Sequence, residues 1–146
     1  RNRNIEKHEL LGTEAVCLLP VSHRLAANEV ISPEDLVGEN FISYFEGSIF
    51  KNDIDKAFNT AKVRRLTRYE GKTTGAIIGM VGAGLGVSII DSGFGAGSFD
   101  PRCITIPFKP AIPYTAELLW STQCGLSAIQ NEFLNMVREE YGDLDI

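Results

Sequence analysis

Apolar and polar positions alternate between two periods along this chain, and each switch marks an element. Residues 15–19, AVCLL, form a continuous apolar run stopped by Pro20, which predicts a buried strand. A polar loop follows to Asn28. Ser32-Pro33-Glu34-Asp35-Leu36 then carries the marks of a helix start: a hydroxyl to cap free amides, Pro in the first turn, and acids that complement the dipole. Residues 41–44 predict a strand. Phe50, Ile54, Ala57, Phe58 and Ala61 recur at three- and four-residue spacing and predict an amphipathic helix. Residues 66–69 predict a strand, residues 73–81 a helix and residues 87–90 a strand. Residues 104–106 are short and extended. Pro107, Pro110 and Pro113 exclude helix from the next stretch, and residues 116–120 predict a strand. Ser127 and Gln130 form a capping box for a last helix. Its apolar stripe is Ile129, Phe133, Met136, Val137 and Tyr141, and Gly142 ends it.

The order is β-α-β-α-β-α-β, then an extended stretch, a strand and a helix. Such alternation predicts an α/β class with parallel strands and right-handed crossovers. The join at Gly82-Ala-Gly84-Leu-Gly86 runs from helix into strand. A dinucleotide loop needs the reverse order and G-x-G-x-x-G spacing, so these glycines read as a tight structural turn. Residues 93–101 are rich in Gly and Ser and read as a loop with a short helical turn.

The chain of 146 residues is 44% apolar, enough for one core or one domain's worth of chain split between two lobes. Its net charge of −5 argues against this segment gripping a phosphate backbone. No apolar run reaches spanning length and no signal peptide opens the chain. Cys17, Cys103 and Cys124 are odd in number and widely spaced, which fits reduced thiols in the cytoplasm rather than a disulfide. Neither histidine stands near a cysteine pair at zinc spacing. The polar start without Met reads as a piece of a longer chain.

Ligands of parallel sheets bind beyond the carboxyl ends of strands, where helix N-termini present free amides. That rule selects the loops at residues 20–22, 45–48, 70–73 and 91–97. The second and third are richest in small polar groups. Ser43, Tyr44 and Ser48 offer hydroxyls at one, and Thr73 and Thr74 at the other. Ser48 and Thr73 are placed to cap their own helices, to touch a ligand, or both. Catalytic sets are hard to assemble: no G-x-S-x-G, no H-E-x-x-H, and His23 in a loop near no nucleophile. Cys17 is expected to be buried and inert. Asp91 ends a strand, where a turn role outweighs catalysis. Lys62, Arg64, Arg65 and Arg68 read as a solvated edge face that also resists mispairing.

VCLLPVSHRLAANEVISPEDLVGENFISY, MVGAGLGVSIID and ITIPFKPAIPYTAELLW, in that order and spacing, resemble the effector-binding domain of LysR-type transcriptional regulators. Ser22 and Arg24 depart from the usual Gly and Pro there. The resemblance implies a two-lobed fold like a type II periplasmic binding protein, its second lobe largely complete and its first only partly present. Residues 1–20 would be the end of the first lobe and the first crossover strand. Residues 21–112 would be the second lobe. Residues 113–146 would be the return strand and a helix packing on the first lobe. It implies a sensor rather than an enzyme, with no cofactor or metal. A small metabolite would bind at Ser43, Tyr44, Phe45, Glu46, Ser48, Thr73 and Thr74. Glu46 hints at a cationic or amine-bearing ligand, such as an amino-acid derivative. DNA would be bound by an N-terminal helix-turn-helix absent from this chain, in a cytoplasmic homodimer or homotetramer. The rivals are a periplasmic solute-binding protein and an α/β enzyme using Asp91 or His23.

Overall fold

The computed structural model describes residues 4–93, 100–121, 123 and 125–141. Residues 94–99 of the Gly/Ser loop, Cys124 and the helix stop at Gly142 lie outside them. The strands are β1 (Ile5–Pro20), β2 (Asn40–Tyr44), β3 (Leu66–Gly71), β4 (Ser88–Asp91), β5 (Cys103–Pro107) and β6 (Pro113–Ser121). The helices are α1 (Ile49–Thr60), α2 (Thr74–Gly82) and α3 (Ala128–Tyr141), with a 3₁₀ turn at Pro33–Leu36. Two compact units result: residues 13–114, and residues 1–12 with 115–146.

Within the larger unit β2 and β3 run parallel, as the crossover through α1 requires. The expectation of parallel strands throughout fails at β1. Its residues Ala15–Leu18 pair antiparallel with β4, and Val16–Pro20 pair antiparallel with β5. The reason lies in the connections. Between β1 and β2 stands only a four-residue 3₁₀ turn, not a crossover helix, so nothing forces β1 into the direction of β2. Ser32 also acts differently from expectation. Its hydroxyl and amide both donate to the Asp35 carboxylate at 2.8 Å, so the side chain is a donor within the turn.

The glycine join performs as a join. α2 ends at Gly82, Gly84 takes φ +76°, and Val87 begins the return. Val87 N–H donates to the Asn40 carbonyl (2.9 Å) and Ile42 N–H to the Val87 carbonyl (2.8 Å), tying the β2–β3 ladder to β4. Around this sheet Leu18, Leu19, Ile31, Phe41, Ile42, Ile54, Phe58, Ile77, Ile89, Ile90 and Phe108 are buried in one core. The α1 stripe lies as its period demands, with Phe50, Ile54, Ala57 and Phe58 inward.

Arg65 corrects the reading of a solvated basic run. Its guanidinium lies 4.9 Å from the Phe41 ring centroid and 4.8 Å from that of Phe58, and it pairs with Asp55. A planar cation stacks on aromatic faces while its edge serves a carboxylate. The apolar faces of β2 and α1 thereby bury what charge counting places in water.

In the smaller unit the α3 stripe is corrected too. Leu134 and Val137 are buried, with Leu10, Leu118 and Leu126 against them, whereas Ile129, Phe133, Met136 and Tyr141 are exposed. The helix carries more apolar circumference than its partners within this unit cover. The capping box forms as expected: Gln130 N–H donates to the Ser127 hydroxyl (3.3 Å), and Ser127 N–H to the Gln130 side chain (2.8 Å).

Candidate functional site

Parallel strands β2 and β3 end at Tyr44 and Gly71, and α1 and α2 begin a few residues later. Beyond these ends lies a cavity of about 330 Å³ lined by Tyr44, Phe45, Ser48, Phe50, Lys72, Thr73, Thr74, Gly75, Asp91 and Tyr114. The two loops chosen from sequence therefore meet at one cavity, which brings five of the seven candidates together. Ser43 is not on its wall. It is buried, with its hydroxyl unpartnered, because alternation along β2 turns it away from its neighbour Tyr44. Glu46 is not on the wall either; it is largely exposed and pairs with Lys51 at 3.0 Å.

The aromatic rings of the wall pack on one another. Tyr44 meets Phe50 edge-on at 5.4 Å, and Phe50 meets Tyr114 edge-on at 5.8 Å. The Tyr44 hydroxyl lies 2.9 Å from Thr74 Oγ1. Burial holds the Tyr44 phenol above its usual pKa, and the nearby Asp91 carboxylate adds to this. It therefore stays protonated at neutral pH and retains a proton to donate.

Thr73 caps α2: its hydroxyl accepts from Ala76 N–H at 3.2 Å. Ser48 holds the equivalent place before α1, but its hydroxyl makes no capping bond. The two positions should separate in the laboratory. Thr73→Ala should cost about 1 kcal/mol of stability in urea unfolding, and Ser48→Ala close to nothing. Equal losses would contradict the difference in geometry.

Sequence reasoning missed Phe50, Lys72, Gly75 and Tyr114 as lining residues and discounted Asp91. Asp91 does hold a turn: its Oδ1 accepts from Gly93 N–H at 2.9 Å, and also from the Thr13 hydroxyl at 2.6 Å. It nonetheless lines the cavity. Its place at a strand end was the available signal. Tyr114 had none, since only the tertiary fold brings β6 to this wall. A second cavity, of about 420 Å³, lies between α1 and the proline segment. Its wall has no helix N-terminus and no buried charged side chain.

The other candidates hold structural places. His23 Nε2 lies 3.2 Å from Glu39, which also takes Arg24 at 2.7 Å. Cys17 is fully buried, and burial pushes its thiol far above the usual range, which suppresses the thiolate. Among the described residues no group of three His, Cys, Asp or Glu is placed to hold a metal. Nor is any described helix long and apolar enough to cross a membrane.

The strand order, the cavity and the two units define an α/β fold of the type II periplasmic-binding-protein class, shared with known effector-binding domains. Residues 1–142 match the LysR substrate binding domain, and the chain belongs to that family. It is 30% identical over 128 residues to the transcriptional activator protein LysR of Escherichia coli strain K12, covering 88% of this chain and 41% of that one. The chain thus spans less than half of that relative's length. Among solved structures it superposes on the Synechocystis PCC6803 CcmR regulatory domain in complex with 2-PG, with a TM-score of 0.81 and 18% identity over 99% of this chain and 71% of that one. It also superposes on the effector-binding domain of QuiR in complex with shikimate, with a TM-score of 0.75 and 18% identity over 97% of this chain and 67% of that one.

Proposed function

We propose that this chain is the effector-sensing part of a LysR-type transcriptional regulator, binding a small metabolite in the cavity at the ends of β2 and β3. The observation that carries the reading is that cavity, where the buried rings of Tyr44 and Phe50, the exposed rings of Phe45 and Tyr114, two helix starts and several hydroxyls converge. Family membership supports it. So do the small molecules held by the CcmR and QuiR domains.

In this proposal Tyr44, Phe45, Ser48, Thr73 and Thr74 touch the effector, and Ser43 and Glu46 belong to the same strand end and loop. The effector is a small metabolite such as an amino-acid derivative. Residues 21–112 form the second lobe. Residues 13–20 and 113–114 join that lobe's sheet and walls, residues 1–12 and 115–146 belong with the first, and the exposed α3 stripe packs on the remainder of the first lobe. The chain performs no catalysis. It works in the cytoplasm, in a homodimer or homotetramer whose DNA contacts are made by a helix-turn-helix outside this sequence.

The mechanism is a population shift. An effector with more contacts in one inter-lobe geometry favours that geometry. A coupling of about 1–3 kcal/mol suffices to alter how paired DNA-binding parts sit on an operator. The test starts from a thermal-shift screen of metabolites on the intact regulator. Ser48→Ala combined with Thr74→Val should weaken the selected compound about tenfold in calorimetry, the worth of one to two hydrogen bonds. Unaltered affinity would remove the cavity from the effector site.

A further inference from the structure

The cavity wall carries charge of both signs, and one of its charges is buried. Asp91 is 7% exposed. Its Oδ1 is taken by Thr13 and Gly93. Its Oδ2 accepts no hydrogen bond from any described residue, and no described Lys, Arg or His pairs with it. A carboxylate withdrawn from water needs a compensating cation or donors on both oxygens. Among the described residues nothing occupies the other oxygen, which is left for whatever enters the cavity. On the same wall Lys72 stands beside the first turn of α2. There Ala76 and Ile77 N–H are taken by Thr73, whereas the Thr74 and Gly75 amides make no hydrogen bond among the described residues. Free amides at a helix start, next to an ammonium side chain, favour an anion. Tyr44, Phe50 and Tyr114 line the same cavity, and ring faces also receive cations.

We propose that this cavity is specific for a ligand bearing both an ammonium group and a carboxylate, the ammonium on Asp91 Oδ2 and the carboxylate at Lys72 and the first amides of α2. The inference rests on the reading of the cavity as the effector site, and it assigns that site a substrate class, the amino acids. A plain anion would face the unscreened Asp91. A plain amine would leave Lys72 and the α2 amides without a partner. Glu46, the carboxylate that suggested an amine from sequence, is already occupied by Lys51 and is off the wall.

The experiment is calorimetry on the intact protein with matched sets. L-leucine, L-phenylalanine and L-lysine are each compared with the desamino acid and with the decarboxylated amine. At least one amino acid should bind, and both truncated forms of it should bind about tenfold more weakly or worse. D91N keeps an Oδ1 acceptor for Thr13 and Gly93 and turns the other oxygen into a donating amide. It should lower the amino acid to the level of its desamino analogue and leave that analogue no weaker. The wild-type comparison stands even if D91N folds poorly. A desamino acid that binds as tightly as its parent, or no binding by any amino acid, overturns the proposal. The two readings fail differently. If 2-PG or shikimate shifts the amide resonances of Tyr44, Ser48 and Thr74 while no amino acid does, the zwitterion assignment falls and the effector site stands. If none of the compounds shifts them, both fall.

Discussion

Gly86→Ala should destabilise this protein by about 3 kcal/mol, the upper end of ordinary overpacking and a large share of the stability of a typical domain. A Cβ at Gly86 would lie far inside contact distance of the Asn40 carbonyl oxygen and close to the Asn40 side chain. That carbonyl is no flexible neighbour, because it accepts from Val87 N–H and so joins β2 to the start of β4. Relief of the clash would break the bond that closes the sheet. Gly84 makes a useful contrast, since its φ of +76° favours glycine but a Cβ there meets nothing within 4 Å. Gly84→Ala should cost about 1 kcal/mol, the usual penalty of the left-handed region. Chemical denaturation of the two variants measures the difference, and equal losses would contradict the close approach at Gly86.

The second large effect concerns Arg65. Asp55→Ala should cost about 3 kcal/mol, because it leaves a guanidinium buried between Phe41 and Phe58 without its carboxylate. Burial already lowers the pKa of Arg65, a sign that its charge is held against a desolvation cost. Lys51, which also pairs with Asp55 at 2.9 Å, should suffer less, since Glu46 remains as its partner. The double variant Asp55→Ala, Arg65→Met should recover more than half of the loss, because a methionine fills the stacked space with no charge to satisfy. A double variant as unstable as Asp55→Ala alone would show that the pair itself, and not the stranded charge, carries the stability.

These two positions also show what the sequence disclosed. The glycine join was legible because helix, glycines and β-branched run follow one another locally, and local order is what pattern reading sees. That Gly86 must lack a side chain was not legible, since Asn40 approaches it from a different strand. Arg65 was misread for the same reason. A run of basic residues predicts solvent exposure unless two aromatic rings 24 and 7 positions away are known to close over one of them. The direction of β1 was lost because a cap signal at Ser32 introduces only a 3₁₀ turn, too short to form a crossover. At the site, the strand-end rule found the two loops that share a wall. It could not supply Tyr114, which arrives from a distant segment, and it ranked Asp91 by its turn role, which is real but uses only one oxygen. It favoured Glu46, whose charge is spent on Lys51.

In the proposed function, small molecules of the effector class enter the cavity at the ends of β2 and β3. Amide chemical-shift mapping of the intact protein, titrated in turn with amino acids and with organic acids, tests it most directly. Saturable shifts are expected at Tyr44, Phe45, Ser48, Thr74, Gly75 and Asp91, with the cavity at Asp53, Thr60 and Pro113 unaffected. Shifts confined to that second cavity, or none with either class, would contradict it.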